Sequence, residues 1–277
     1  MNIGIIGLGV VGSAVRFGLE KKQGHKIFSY DKKDPITSIE DVFNNADVIF
    51  ICVSTPIGSD GACDVSAVES VCIELNNLAS QKGVKKDVVI KSTVEPGITD
   101  RLAKELFYLR FAFNPEFLKE QAAIHDFCNQ DICVIGTEHN DLYQKIVAVH
   151  GNLVKEYIRT TPINAEFVKY FLNVFNSTRI VFANLFYDLV KKVGADYNEI
   201  KSIVVRRHNM IDYYLDCNEN MRGFGGKCLP KDTLALQAFA KKMGVNYDFL
   251  NGMLSDNDQL NKKYPQRPEF RENEQSL

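Results

Sequence analysis

Short runs rich in Ile and Val alternate with longer amphipathic stretches through the first half of the chain. Ile3–Ile6, Lys26–Tyr30, Val48–Val53 and Val88–Lys91 are apolar and bounded by Gly, Asp or Pro, the pattern of buried strands. Cys133–Ile135 is a further candidate. Between them, Ser13–Lys22, Ser66–Gln81 and Thr99–Leu106 have helical spacing. Alternating βα units predict an α/β fold, a Rossmann-like doubly wound parallel sheet with helices on both faces. From Asn164 the period changes to one long helix, Ala165–Val193, with Phe167, Val168, Phe171, Leu172 and Phe175 on its early turns and Gly194 as its stop. Further helices are expected at Tyr197–Arg207 and Leu229–Lys242. The expected organisation is a Rossmann-like domain at residues 1–162, an all-α central dimerisation domain at 163–257, and a disordered tail at 258–277, where aliphatic side chains almost vanish.

Composition narrows the function. Lys and Arg number 33 against 35 Asp and Glu, so no basic excess points to nucleic acid or to an anionic membrane. Val48–Val53, the longest apolar run, is far too short for a membrane span. The start, Met1-Asn2-Ile3-Gly4, enters a strand without the basic region of a signal peptide. The seven cysteines are odd in number and contain no C-x-x-C pair, which suits reduced cytoplasmic thiols better than disulfides or a zinc site.

Candidate chemistry begins at Gly7-Leu8-Gly9-Val10-Val11-Gly12, between the first strand and its helix. Glycines there let the chain turn tightly and approach a pyrophosphate held by the helix N-terminus. Asp31 ends the second strand about twenty residues on, where a carboxylate binds the ribose hydroxyls of an adenosine. A glycine turn kept for packing is the alternative. The acid favours NAD over NADP. Val53-Ser54-Thr55-Pro56 and Lys91-Ser92-Thr93-Val94-Glu95-Pro96-Gly97 leave strands at the same end of the sheet, so Thr55 and Thr93 can reach a ligand there, unless Ser/Thr-Pro merely ends a strand. In Asn114–Glu120, Pro115 suits a helix start, with Glu116 and Glu120 four apart on one solvated face. Lys169 and Asn173 share a face of the long helix among apolar neighbours. They are a desolvated donor pair, or else a snorkelling lysine and a surface amide.

The richest segment is Gly223-Phe224-Gly225-Gly226-Lys227-Cys228-Leu229-Pro230-Lys231-Asp232-Thr233. Cys228 falls near a helix N-terminus between Lys227 and Lys231, and both features favour a nucleophilic thiolate. The other six cysteines lie mostly in apolar strands or helices and are expected in the core.

These motifs, in this order, resemble the UDP-glucose/GDP-mannose dehydrogenase family, NAD-dependent enzymes that oxidise the C6 alcohol of a nucleotide sugar to a carboxylate. The resemblance runs from Met1 to about Lys242. It includes Ala165-Glu166-Phe167-Val168-Lys169-Tyr170, Asn173, Phe175 and Asn184 on the central helix. It implies NAD contacts at Gly7, Gly9, Val10, Val11, Gly12, Asp31, Thr55, Thr93 and Glu120. It implies nucleotide-sugar contacts at Phe117, Leu118, Lys119, Phe224 and Gly225. Catalytic roles fall by the same resemblance to Cys228, Lys169, Asn173, Asp232, Glu116 and Thr93, with no metal.

In the implied reaction the cysteine holds the substrate first as a thiohemiacetal and then as a thioester. Lys169 and Asn173 stabilise the negative oxygen, and Asp232 and Thr93 position a water or proton relay. Glu116 is the base for hydrolysis, and Glu120 lies near the nicotinamide. UDP-glucose is the expected substrate, with a homodimer formed through the central helix. Several positions depart from the family. Ser54 replaces a proline, Gln130 stands where a Pro-Asp-Arg segment begins, Ile132 replaces its arginine, and His208–Cys217 has no arginine to reach a neighbour's sugar. Too few residues follow Asp232 for the family's third domain, so a short form is expected, with that domain supplied by a partner chain or dispensed with. A non-catalytic NAD-binding accessory subunit and a β-hydroxyacid-type dehydrogenase are the rival readings. The intact Cys228, Lys169, Asn173 and Asp232 oppose the first, and the cysteine segment opposes the second.

Overall fold

The computed structural model describes residues 1–34, 37–208 and 211–264. These residues divide into two compact units, the first Met1–Gly58 with Cys63–Lys169, the second Ser59–Ala62 with the described residues from Tyr170.

The first unit is built on a sheet of seven strands: β1 (Asn2–Ile6), β2 (Lys26–Tyr30), β3 (Val48–Ile51), β4 (Lys86–Ile90), β5 (Leu109–Phe113), β6 (Gln130–Gly136) and β7 (Val154–Thr160). Their order is β2-β1-β3-β4-β5-β6-β7. The first five run parallel. One pairing is antiparallel: β6 meets β5 through Phe113 and Gly136, and β7 then runs parallel to β6. Between β5 and β6 the chain makes only a 3₁₀ turn, Glu120–Ala122, and the six-residue helix α5 (Ala123–Cys128). An antiparallel return needs no full crossover helix.

Both faces of the sheet are covered. In β3, Val48 and Phe50 pack with Val15 of α1 (Val10–Phe17), Phe127 of α5 and Ile146 of α6 (Asn140–His150). Ile49 and Ile51 face the other way, toward Val42 of α2 (Ile39–Asn45), Leu75 of α3 (Ser66–Lys82) and Leu102 of α4 (Ile98–Glu105). Successive strand residues point to opposite faces, so burial on both sides turns the pattern into an unbroken apolar run. Truncating Phe50 to alanine is expected to cost about 3–5 kcal/mol. Helix α2 starts at a capping box, Ser38 and Asp41 each accepting from the other's amide, and α3 stops at Gly83, left-handed at φ 64°.

The second unit holds the rest of α7 (Pro162–Lys192), with α8 (Tyr197–His208), α9 (Cys228–Lys242) and α10 (Asp248–Lys263). Gly194, at φ 73°, ends α7 as its position suggests. The expected boundary at residues 162/163 falls at the start of α7, ahead of the division at Lys169/Tyr170. The core is small: Val174, Ile180, Tyr214, Phe224, Leu229 and Met253. The disordered tail expected from residue 258 needs correction, because α10 continues to Lys263. Leu250, Met253, Leu254 and Asn257 follow helical spacing and give that helix one packed face. Residues 265–277 of the expected tail lie outside the described residues. No helix among the described residues is long and apolar enough to cross a membrane.

Candidate functional site

In the first unit the strand registers align the carboxyl ends of four strands: Ile6 beside Ile51, Ile51 beside Ile90, Ile90 beside Phe113. Ligands of such sheets bind outside those ends, where the strand order reverses, here between β1 and β3.

The three glycines after β1 are needed for three different reasons. Gly7 sits at φ +93°, and a Cβ there would lie 2.6 Å from the Cys52 carbonyl oxygen. A Cβ on Gly12 would lie 1.9 Å from the Gly7 oxygen. Gly9 differs: a Cβ would meet nothing within 4 Å, and Gly9 is the N-cap of α1, which has no side-chain cap. The helix therefore presents its amide end to open space, a cradle suited to a pyrophosphate. Asp31 closes the loop from β2. Its Oδ2 accepts from the Leu8 amide at 2.6 Å and its Oδ1 from the Lys33 amide at 2.9 Å. Those two backbone bonds hold the carboxyl below its ordinary range, so it stands as an anion with lone pairs left for ribose hydroxyls. These donors and this cradle fit NAD. A cavity of about 660 Å³ runs along one side of α1, lined by Val10, Ser13 and Phe17 and by Glu120, Gln121 and Ile124. It brings Val10 and Glu120, two expected cofactor residues, to one place.

The loops after β3 and β4 are tied to each other. Ser92 Oγ donates to the Val53 carbonyl at 2.7 Å, and Cys63 Sγ donates to the Thr93 carbonyl at 3.4 Å. Thr55 is buried and Thr93 half-buried. The Gly97 and Thr99 amides donate to the fully buried Glu166 carboxylate of α7, at 2.5 and 2.9 Å, which anchors the segment carrying Thr93.

The segment after β5 corrects the expectation. Residues 114–119 form no helix, so Glu116 and Glu120 do not share a helical face, and Glu116 is buried rather than solvated. Asn114 explains the path. It is fully buried, donates to the Val134 carbonyl at 2.7 Å and accepts from Lys91 Nζ at 2.7 Å, which locks the chain in an extended turn. Glu116 then meets Lys169: Nζ donates to Oε1 at 2.8 Å and to the Glu116 carbonyl at 2.7 Å. Lys169 is 4% exposed and Glu116 9%, so the snorkelling alternative is set aside. Burial pushes the Glu116 carboxyl up. The Lys169 charge and hydrogen bond, the Leu118 amide and the Lys91 charge outweigh it and leave the group below its ordinary range. The Leu118 and Lys119 amides are held by Glu116 and Asp126, at 2.8 and 2.9 Å. Phe117, Leu118 and Lys119 line a smaller cavity of about 200 Å³ with Asp126, Asp131 and Ile132.

In the second unit Cys228 is the first residue of α9, half-buried, with Lys227 as the N-cap. Asp232 follows four residues later on the same face. It is fully buried, accepts from Asn173 Nδ2 at 2.5 Å and pairs with Lys231 at 2.6 Å. Thr233 Oγ1 to Ser177 Oγ, 3.1 Å, continues this contact between α9 and α7. Five of the other cysteines are buried and Cys128 is half-buried. Burial pushes the Cys52 thiol up to about 12 and raises Cys72, Cys128 and Cys133 as well, so none of these four is a thiolate. Phe224 is 1% exposed, and its backbone N–H and C=O are both hydrogen-bonded to Asn257.

Lys91, Asn114 and Arg222 have no role that the sequence alone assigns. Arg222 is fully buried, donating to Asn184 Oδ1 at 2.7 Å and to Asp188 Oδ2 at 2.5 Å between the rings of Tyr187 and Tyr264. Lys91 and Asn114 open two of the recognised motifs and Arg222 directly precedes a third, and nothing in their spacing separates these charged and amide residues from surface ones.

Residues 34–154 match the model of the UDP-glucose/GDP-mannose dehydrogenase family NAD binding domain, and residues 163–259 match the central domain of the same family. The chain belongs to this family. Its first unit is accordingly an NAD-binding domain of Rossmann type, followed by a helical central domain. The GDP-mannose 6-dehydrogenase of Pseudomonas aeruginosa is 29% identical over 95% of this chain and 70% of its own length. The UDP-glucose 6-dehydrogenase of Rickettsia prowazekii is 31% identical over 78% of this chain and 50% of its own. Among solved structures, the UDP-glucose dehydrogenase of the archaeon Pyrobaculum islandicum superposes with a TM-score of 0.84 at 29% identity, covering 93% of this chain and 68% of that one. The family is one of nucleotide-sugar 6-dehydrogenases, and both sugars occur among these relatives.

Proposed function

We propose that this dehydrogenase oxidises the C6 alcohol of UDP-glucose to the uronic acid through a covalent intermediate on Cys228. The observation that carries the proposal is the arrangement on α9. A half-buried thiol opens the helix, and a buried aspartate one turn later is hydrogen-bonded to the amide of Asn173. The thiol stands at the N-terminal end of α9, where the helix dipole favours a nearby anion. NAD supplies the hydride acceptor for each of the two oxidations. Cys228 attacks the aldehyde carbon and holds it as a thiohemiacetal, then as a thioester. Asn173 and Lys169 donate to the oxygen that carries negative charge, each such donor being worth about 3 kcal/mol. Asp232 accepts a proton from the water or hydroxyl that it orients, and Thr93 keeps the relay role that the resemblance implies. Glu116, kept ionised by its buried lysine, is the base that activates water against the thioester. UDP-glucose is preferred because the superposition named above is with a UDP-glucose dehydrogenase.

The same reading includes a homodimer. Phe171 on α7 is 72% exposed, and Phe175, Phe182, Leu185, Phe186 and Leu189 along that helix are exposed too. An apolar stripe of this length is covered in solution, and a second copy of α7 offers a matching one.

The test is NADH stoichiometry with UDP-glucose and GDP-mannose. Wild type is expected to release two NADH per UDP-glucose with no free aldehyde. Cys228→Ser is expected to stop after the first oxidation, since its hydroxyl is a poorer nucleophile and leaving group. Full two-step turnover by Cys228→Ser would refute the covalent route, and turnover of GDP-mannose alone would refute the substrate.

A further inference from the structure

Helix α10 lies beyond the motifs that carry the family resemblance, yet two of its side chains hold the segment just ahead of Cys228. Asn257, 5% exposed, meets the backbone of Phe224 with both ends of its amide. Its Oδ1 accepts from the Phe224 N–H at 2.6 Å, and its Nδ2 donates to the Phe224 carbonyl at 2.9 Å. Asn261, one turn on, donates to the same carbonyl at 3.1 Å. From α7, Asn184 Oδ1 accepts from the Gly223 N–H at 3.3 Å. Gly223 is left-handed at φ +62°, and a Cβ there would lie 2.7 Å from Asn261 Oδ1 and 2.9 Å from Asn257 Oδ1. Only glycine lets the loop approach the two asparagines this closely. The Phe224 ring is buried in the core of the unit, in one cluster with Leu229 and Met253.

The consequence concerns the three residues that follow. Gly225, Gly226 and Lys227 span from the clamped Phe224 to the first turn of α9, and α9 is itself tied to α7 by Asp232–Asn173 and Thr233–Ser177. Two glycines would otherwise leave this span free to sample many conformations. With both ends held, the position of its last residue is narrowly set. A buried amide with donor and acceptor both satisfied is costly to break, which makes Asn257 a firm anchor.

We propose that Asn257 is a positioning residue for Cys228, fixing Phe224 so that the short glycine span delivers the thiol at the head of α9. The catalytic meaning of this inference rests on the reading of Cys228 as the nucleophile. The geometric part does not.

The test alkylates the full chain with iodoacetamide from about pH 6 to 10 and follows each cysteine by peptide mass spectrometry. Wild type is compared with Asn257→Leu, which loses both bonds, and with Asn257→Asp, which keeps the acceptor and, when ionised, loses the donor. In Asn257→Leu the Cys228 rate is expected to change roughly three-fold or more, with a displaced pH midpoint. Cys128 keeps its wild-type rate, and buried Cys52, Cys72 and Cys133 stay protected. Asn257→Asp is expected to fall between the two. An unchanged Cys228 rate and midpoint in Asn257→Leu, with the buried thiols still protected, overturns the inference. If the buried thiols react, the leucine variant has unfolded, and Asn257→Asp decides on the same criteria. In turnover, kcat is expected to fall about ten-fold with KM for NAD unchanged. A raised KM for NAD with unchanged kcat overturns the positioning role. If Cys228 reactivity follows Asn257 while wild type oxidises no nucleotide sugar, the dehydrogenase reading fails and the positioning stands.

Discussion

Replacing Lys169 with methionine removes an ammonium from a site where it is 4% exposed and bonded twice to Glu116. The carboxylate left behind is buried, with the Leu118 amide still donating to it and the Lys91 charge nearby. Removing one partner of a buried pair costs about 3–5 kcal/mol, because the other charge is stranded. For a unit of this size that corresponds to a fall in Tm of roughly 6–20 °C. The pH dependence gives the sharper check. In the wild type Glu116 is held below its unfolded value of about 4.3, so its contribution is present above that pH and is lost as pH falls through the lower folded value. In Lys169→Met, burial dominates and the folded value rises above 4.3. Protonation then relieves the strain, and the Tm deficit shrinks as pH falls from about 8 toward 5. Calorimetry at both pH values, with Glu116→Gln and the double variant completing a cycle, measures the coupling. A deficit under about 2 °C, or one equal at the two pH values, would refute a buried ion pair here.

Other predictions separate folding from binding. Gly9→Ala places its Cβ in open space and is expected to keep the wild-type Tm while losing NAD affinity by calorimetry; Gly12→Ala, 1.9 Å from the Gly7 oxygen, is expected to lower Tm as well. Phe171→Glu is expected to convert a dimeric mass in light scattering to a monomeric one. A monomeric wild type at micromolar concentration would remove the dimer from the reading.

Much of the fold was legible because sheet burial on two faces leaves apolar runs, as in β3, and because α7 repeats helically over eight turns' worth of chain. What failed did so for identifiable reasons. Strand β7, Val-Lys-Glu-Tyr-Ile-Arg-Thr, is an edge strand that is mostly exposed, so its pattern resembles a polar loop. Strand β5 follows α4 after a few apolar residues, and Leu109–Phe113 merges with them. Helix α10 has few aliphatic residues because part of its packed face is amide, Asn257 and Asn261, spent on hydrogen bonds to a loop. The Pro115 helix was wrong because the burial of Asn114, a tertiary effect, overrides a local start signal. Among the candidate catalytic residues, Cys228 was the one whose chemistry local sequence could argue, through its place at a helix start. The pairing of Glu116 with Lys169, 53 positions apart, exists only after the sheet forms.

That contrast explains how the site is built. Expected cofactor residues sit in the loops where strands end, at Gly7, Thr55 and Thr93, and at Gly7 a Cβ would strike the Cys52 carbonyl. Sequence pattern finds such places because a broken rule is visible. The charged residues that set protonation, Lys91, Glu116 and Lys169, break no local rule. Their meaning comes from desolvation, and desolvation is a property of what surrounds a side chain. Burial pushes the Lys91 ammonium down while it holds Asn114, and Asn114 in turn sets the path of the segment bearing Glu116. A change at Lys91 therefore acts on Glu116 twice, through its charge and through the chain path, whereas a change at Gly9 acts on the cradle alone. Variants at the strand ends should accordingly shift ligand affinity at constant pH profile. Variants in the buried charge set should move the pH profile itself, and a Lys91→Met variant with an unaltered profile would contradict this division.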